Sequence, residues 1–124
     1  MQKSIDLKEE ELHFRLLRIL DGSPDISQRE LARDMQISLG KVNFCIRALI
    51  KKGLIKASNF KNSQNKIAYL YHLTPSGIEA KAKLTMKFLK IKMVEYDLIK
   101  KEIEELKKNV HDLNKHDIKK SAGL

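Results

Sequence analysis

The chain has 124 residues, about one domain's worth. Its formal net charge of +9 points to an anionic partner, chiefly nucleic acid or a membrane face. One cysteine, Cys45, excludes an intrachain disulfide framework, and no apolar run approaches the roughly 20 residues of a membrane span. The first eleven residues are charged and lack the apolar stretch of a signal peptide, so a soluble, cytoplasmic protein that does not engage a membrane is expected.

In chain order, Leu12, Leu16, Ile19 and Leu20 recur at helical spacing and predict a first helix over Leu7 to Leu20. Gly22 and Ser23-Pro24 stop it. Ser27-Gln28-Arg29-Glu30 is a capping box that opens a short second helix with Leu31, Ala32 and Met35 inward. Gln36-Ile37 breaks it, Ile37 faces inward, and Ser38 caps a third helix. Val42, Ile46, Leu49 and Ile50 form the buried stripe of that helix, and Gly53 ends it. Two helices joined by so short a turn are the helix-turn-helix arrangement. Leu54 to Ala57 then reads as a strand, Asn59 to Lys66 as a polar turn, and Ile67 to Leu73 as a second strand with Ile67, Tyr69, Tyr71 and Leu73 on one face. A hairpin with a basic tip after the helix pair is a wing. Thr74-Pro75 starts a last helix that runs to about Asn114, followed by a flexible tail, Lys115 to Leu124. The fold class is mainly α with a small β-hairpin: a winged helix-turn-helix over residues 1–74 and a long dimerisation helix over 75–114.

Charge is unevenly placed. From Ser38 to Leu73 there are seven basic residues and no acidic one, which allows repulsion-free approach to phosphates. Stepping 100° per residue around the third helix places Gly40, Lys41, Phe44, Arg47 and Lys51 opposite the buried stripe, with Asn43 beside them. Arg47 suits a guanine edge, Asn43 an adenine edge, and Phe44 thymine methyls. Lys61 and Lys66, with Asn62 and Asn65 between them, make a wing tip suited to phosphates. Ser27, Gln28 and Arg29 stand at a helix N-terminus, which favours anions. Ser38 and Leu39 open the third helix and complete the candidate DNA-binding set. Cys45 reads as a small core residue. The four histidines lack partner cysteines or tight pairing, and no nucleophile–base pair, phosphate loop or dinucleotide fingerprint occurs. An enzyme is not expected, and neither is a metal or cofactor.

In the last helix, Tyr96, Ile103 and Val110 occupy heptad position a, and Ile99, Leu106 and Leu113 occupy d. β-branched residues at a with leucine at d suit a parallel two-stranded coil, and Glu102 at g then faces Lys107 at e. Before this seam, Ile78, Leu84, Met86, Phe88, Leu89, Ile91, Met93 and Val94 surround much of the helix. This stretch, Leu89 included, is expected to touch both its own domain and a partner copy.

Ile26 to Ala32, Ile37 to Asn43, Asn59-Phe60-Lys61-Asn62-Ser63 and Leu73-Thr74-Pro75-Ser76-Gly77 resemble the small MarR-type regulators called EPS-associated, bacterial proteins tied to exopolysaccharide gene clusters. The resemblance covers roughly residues 10 to 95. It implies a homodimeric transcription regulator, with DNA contact by Leu39, Gly40, Asn43, Phe44, Arg47 and wing residues Lys61 to Lys66. Larger MarR proteins interlock added terminal helices around a ligand pocket. A single long helix stands there in this chain, which argues against small-molecule sensing. The expected partners are duplex DNA carrying an inverted repeat and a second copy of the chain. The rival readings are a protein-interaction adaptor and a ligand- or redox-responsive switch.

Overall fold

The computed structural model describes residues 6–61 and 63–121, and side-chain surroundings as far as residue 116. The elements run α1 (Leu7–Gly22), α2 (Gln28–Met35), α3 (Leu39–Lys51), β1 (Ile55–Lys61), β2 (Ile67–Leu73) and α4 (Pro75–Ser121). This is a winged helix-turn-helix followed by one long helix.

Each of the three short helices begins at a side-chain cap. The Asp6 carboxylate accepts from the Lys8 N–H, the Ser27 hydroxyl from the Glu30 N–H (3.1 Å), and the Ser38 hydroxyl from the Lys41 N–H (3.0 Å). These bonds satisfy N–H groups that have no partner within a helix. α2 ends on Gln36 in the left-handed region (φ 57°), and the chain leaves α3 through Gly53 at φ 72°.

The core is shared by all these elements. Leu16, Leu17 and Leu20 of α1 meet Leu31 and Met35 of α2 and Val42, Cys45, Ile46 and Leu49 of α3; Ile55 and Tyr71 close it from the hairpin. Burial of each such aliphatic side chain contributes about 1.5–3 kcal/mol. Ile37 is partly buried against this core. Ile50, placed in the buried stripe by helical stepping, is 39% exposed. It flanks the stripe at the end of α3, where no neighbouring element covers it.

The hairpin pairs antiparallel from Ile55↔Leu73 to Lys61↔Ile67. β1 is therefore longer than the strand expected at Leu54 to Ala57: Asn59, Phe60 and Lys61 belong to it, paired with Tyr69, Ala68 and Ile67. Of the wing tip, residues 63–66 are described, with Asn65 left-handed at φ 59°. The alternating face of β2 is buried only in part. Tyr71 is covered, while Ile67 and Tyr69 are 69% and 53% exposed, because the core ends at Tyr71.

α4 begins as expected. The Thr74 hydroxyl accepts from the Gly77 N–H (3.0 Å) and donates to the Gly53 carbonyl, while the Thr74 N–H donates to the Leu54 carbonyl (3.1 Å). The helix continues to Ser121, past the expected end near Asn114. Residues 115–121, expected as flexible tail, are helical: no glycine or proline interrupts them, and three lysines of good helix propensity carry the turns on. Residues 122–124 of that tail, and Asn62, lie outside the described residues.

The chain divides into two compact units, the first ending at Lys87 and the second beginning at Phe88. The first includes the opening turns of α4. Lys81 pairs with Asp21 (2.7 Å) and Lys87 with Glu10, tying these turns to α1, and Leu84 packs on the core. The compact division thus falls inside α4. The second unit is the rest of the helix. Along it Leu89, Tyr96, Ile99, Ile103, Leu106, Val110 and Leu113 are all 45–65% exposed, whereas Phe88 is buried. No described helix is long and apolar enough to cross a membrane.

Candidate nucleic-acid interface

The outer face of α3 is set by its period. With Val42, Cys45, Ile46 and Leu49 buried, the residues between them point away from the core. Gly40, Asn43, Phe44, Arg47 and Lys51 line one open depression on that face. Phe44 is 62% exposed, and the Lys41 ammonium lies 5.5 Å from the centre of its ring. That is cation–π distance, so Lys41 holds its charge beside the ring rather than across a carboxylate. Among the described residues no carboxylate comes within ion-pair distance of Arg29, Lys41, Arg47, Lys51 or Lys61. Of these, Arg47 and Lys51 share the depression with Phe44 and Asn43, and Lys41 lies beside the Phe44 ring.

A second opening adjoins the first. It is an open cleft lined by Gln28 and Arg29 at the start of α2, Leu39, Gly40 and Asn43 of α3, and Ile67, Tyr69 and Tyr71 of β2. Three polar side chains form a chain across it. The Asn43 Nδ2 donates to the Gln28 Oε1 (3.3 Å), and the Gln28 Nε2 donates to the Tyr71 hydroxyl (3.0 Å). Tyr71 is 5% exposed, its ring stacks with Tyr69 (centroids 6.2 Å apart, planes 21°), and its N–H donates to the Pro24 carbonyl (2.9 Å).

The structure therefore brings Gln28, Arg29, Leu39, Gly40, Lys41, Asn43, Phe44, Arg47 and Lys51 together on adjoining surfaces. Ser27 and Ser38 stand at the same edge as caps. Their hydroxyl oxygens accept from the Glu30 and Lys41 N–H groups. Lys61, Asn65 and Lys66 are exposed at the wing but line neither opening. Sequence reasoning misses Ile67, Tyr69 and Tyr71 as site residues. Their alternation marks a strand face, but which neighbour that face meets depends on how the hairpin folds back.

Burial pushes the Cys45 thiol above its ordinary range, with Lys41 opposing and Glu9 adding to the effect. A side chain 3% exposed with a stabilised thiol is a core group, not an activated nucleophile. His13 is shifted the other way. Burial lowers its pKa first, then the nearby Lys52, with Glu9 and Glu10 partly opposing.

Residues 9–56 match the family model described as winged helix-turn-helix DNA-binding. No curated protein matches the sequence. Among solved structures, a PadR-like transcriptional regulator from Bacillus cereus is similar with TM-score 0.65 and 18% identity, over 71% of this chain and 90% of its own. The MepR–DNA complex of S. aureus gives TM-score 0.57 and 21% identity, over 73% of this chain and 61% of that one. The adhesin competence repressor AdcR of Streptococcus pyogenes gives 0.58 and 20%, over 73% and 65%. The chain thus spans less than two thirds of the last two. At these identities the likeness is one of fold, a winged helix-turn-helix, and the family match is confined to residues 9–56.

Proposed function

We propose that this chain is a sequence-specific, duplex-DNA-binding transcription regulator that acts as a homodimer. The observation that carries the reading is the outer face of α3, where Asn43, Phe44, Arg47 and Lys51 stand exposed and no described carboxylate pairs with either cation. Hydrogen-bonding side chains on an exposed helix face meet base edges in the major groove, and unpaired cations meet phosphates. Arg29, Lys41, Lys51, Lys61 and Lys66 serve the backbone in this reading, and Asn43, Phe44 and Arg47 the bases. Ser27, Gln28, Ser38, Leu39, Gly40, Asn62 and Asn65 complete the contact surface.

The homodimer is supported by the second half of α4. Ten large apolar residues from Leu89 to Leu113 are exposed on one helix, six of them in the heptad seam that starts at Tyr96. A soluble helix gains nothing from such a stripe unless a second one covers it. Two copies on a two-fold axis call for an inverted-repeat operator with half-sites about one helical turn, or a multiple of it, apart. Control of exopolysaccharide genes is supported by the Ser38-Leu39-Gly40-Lys41-Val42-Asn43 and Asn59-Phe60-Lys61-Asn62-Ser63 resemblance alone.

The test is selection of bound duplexes from a random pool, at two salt concentrations. The expected result is an enriched inverted repeat that Asn43→Ala relaxes at the position it reads and that Asn43→Ala combined with Arg47→Ala abolishes. Each removed phosphate contact should lower the salt slope by about 0.9. Ile103→Glu with Leu106→Glu should give a monomer by sedimentation and lose the paired half-sites. Weak, salt-sensitive binding without enrichment would overturn the reading and leave a general nucleic-acid binder or an adaptor.

A further inference from the structure

We propose that Tyr71 and Gln28 are positioning residues that set base specificity, by orienting the Asn43 carboxamide to present its Oδ1 to the base edge. This rests on the reading of α3 as the DNA-reading helix and deepens it. The carboxamide of an exposed asparagine can turn by half a rotation about its last torsion, exchanging donor and acceptor at little cost. In one orientation it offers an acceptor where adenine N6 needs one and a donor where N7 does. In the other, both contacts fail. A free asparagine on a helix therefore discriminates weakly until something chooses the orientation.

Here the choice is made from beneath. The Tyr71 hydroxyl is held in place on a ring that is 5% exposed, stacked with Tyr69, and tied through its backbone N–H to the Pro24 carbonyl just before α2. The Gln28 Nε2 donates to that hydroxyl (3.0 Å), which turns the Gln28 Oε1 toward α3. The Oε1 then accepts from the Asn43 Nδ2 (3.3 Å). One Asn43 N–H is committed inward, and the remaining N–H and the Oδ1 are left for a base. The chain joins β2, α2 and α3, residues 43 and 15 positions apart in sequence. It also has a direction: acceptor toward Asn43, so acceptor outward from Asn43. The base edge this fits is adenine, N6 to Oδ1 and N7 to Nδ2.

The experiment uses the full chain and the operator selected above. Asn43→Ala first marks the base pair that Asn43 reads, as the one position where preference relaxes. Tyr71→Phe keeps the ring and its stacking and removes only the hydroxyl. At the marked position it should lower adenine discrimination by about 3- to 10-fold, the worth of one hydrogen bond of orientation. Other positions should keep their ranking, and the melting temperature should hold. Gln28→Leu should do the same or more. Gln28→Glu provides a rescue: a carboxylate still accepts from Asn43 and takes the Tyr71 proton instead, so adenine preference should survive although overall affinity falls beside phosphate. A purely structural role for Tyr71 would weaken all positions evenly in Tyr71→Phe.

The proposal is overturned if Tyr71→Phe leaves the marked position unchanged, if it lowers all positions alike, or if the marked position does not prefer adenine. An operator relaxed at one position by Asn43→Ala but insensitive to Tyr71→Phe would sink the positioning alone and leave the regulator reading standing. Absence of any sequence preference in the wild-type protein would sink both.

Discussion

Gly77 sits two residues into α4, and nothing in a helical pattern distinguishes it from any other early helix position. A Cβ placed on it would lie 2.0 Å from the Leu54 carbonyl oxygen and 3.0 Å from the Leu54 carbonyl carbon. Both are backbone atoms, so no side-chain rotation relieves the clash. Restoring ordinary contact at about 3.4 Å requires the helix start and the Gly53–Leu54 turn to separate by about 1.4 Å. That separation breaks the Thr74 N–H bond to the Leu54 carbonyl and the Thr74 hydroxyl bond to Gly53. Two hydrogen bonds at about 1 kcal/mol each, plus about 1–3 kcal/mol of overpacking strain, less about 1 kcal/mol gained from alanine's smaller unfolded-state entropy, leave roughly 2–4 kcal/mol. For a domain of this size that is a loss of roughly 10–20 °C in melting temperature. The assay is thermal unfolding followed by helical circular dichroism at one protein concentration, since any self-association makes melting concentration-dependent. Gly22→Ala is the internal control. Gly22 closes α1 with nothing within 4 Å of where a Cβ would stand, and alanine there should be neutral or stabilising by about 0.4–1 kcal/mol. If Gly77→Ala melts within about 2 °C of the parent, the close seating of the first turn of α4 on the Gly53–Leu54 turn does not hold that turn in place.

The depressed pKa of His13 has a defined sign. The unfolded chain takes up that proton at its ordinary value of 6.5 and the folded chain only at lower pH, so His13 leaves stability intact above about pH 7.5 and erodes it as pH falls through 6.5 and below. Urea midpoints between pH 8 and 5 should show this slope, and His13→Gln should flatten it; an equal slope in the variant would exclude His13 as its source. Gln36 occupies the left-handed region at φ 57° without being glycine. Gln36→Gly should raise stability by about 0.5–1 kcal/mol in the same denaturation experiment, and a fall would mean that its side chain contributes more than the backbone strain removes. Cys45 should react with an aromatic disulfide at pH 8 far more slowly in the native protein than in urea, because its thiol is buried and its pKa raised. Prompt stoichiometric labelling of the native chain would reopen the redox-switch reading.

Features decided within four residues are legible from sequence alone. Ser27, Ser38 and Thr74-Pro75 start helices because a hydroxyl, or a ring without an N–H, suits the first turn whatever lies beyond it. The periods of α3 and of β2 likewise place Phe44 outward and Tyr71 on the same face as Tyr69. Tertiary structure decided the rest. Asn59, Phe60 and Lys61 look like turn residues, yet they form strand because Tyr69, Ala68 and Ile67 supply backbone partners across the hairpin. Ile50 lies within the apolar arc of its helix, yet no element reaches over it. Gln28, Asn43 and Tyr71 are unremarkable where they stand in the chain. They become one hydrogen-bonded unit only because the Pro24 carbonyl catches β2 beside the start of α2. Local backbone and capping energies depend on neighbours in sequence, whereas register, cover and polar chains depend on which surfaces the core pulls together.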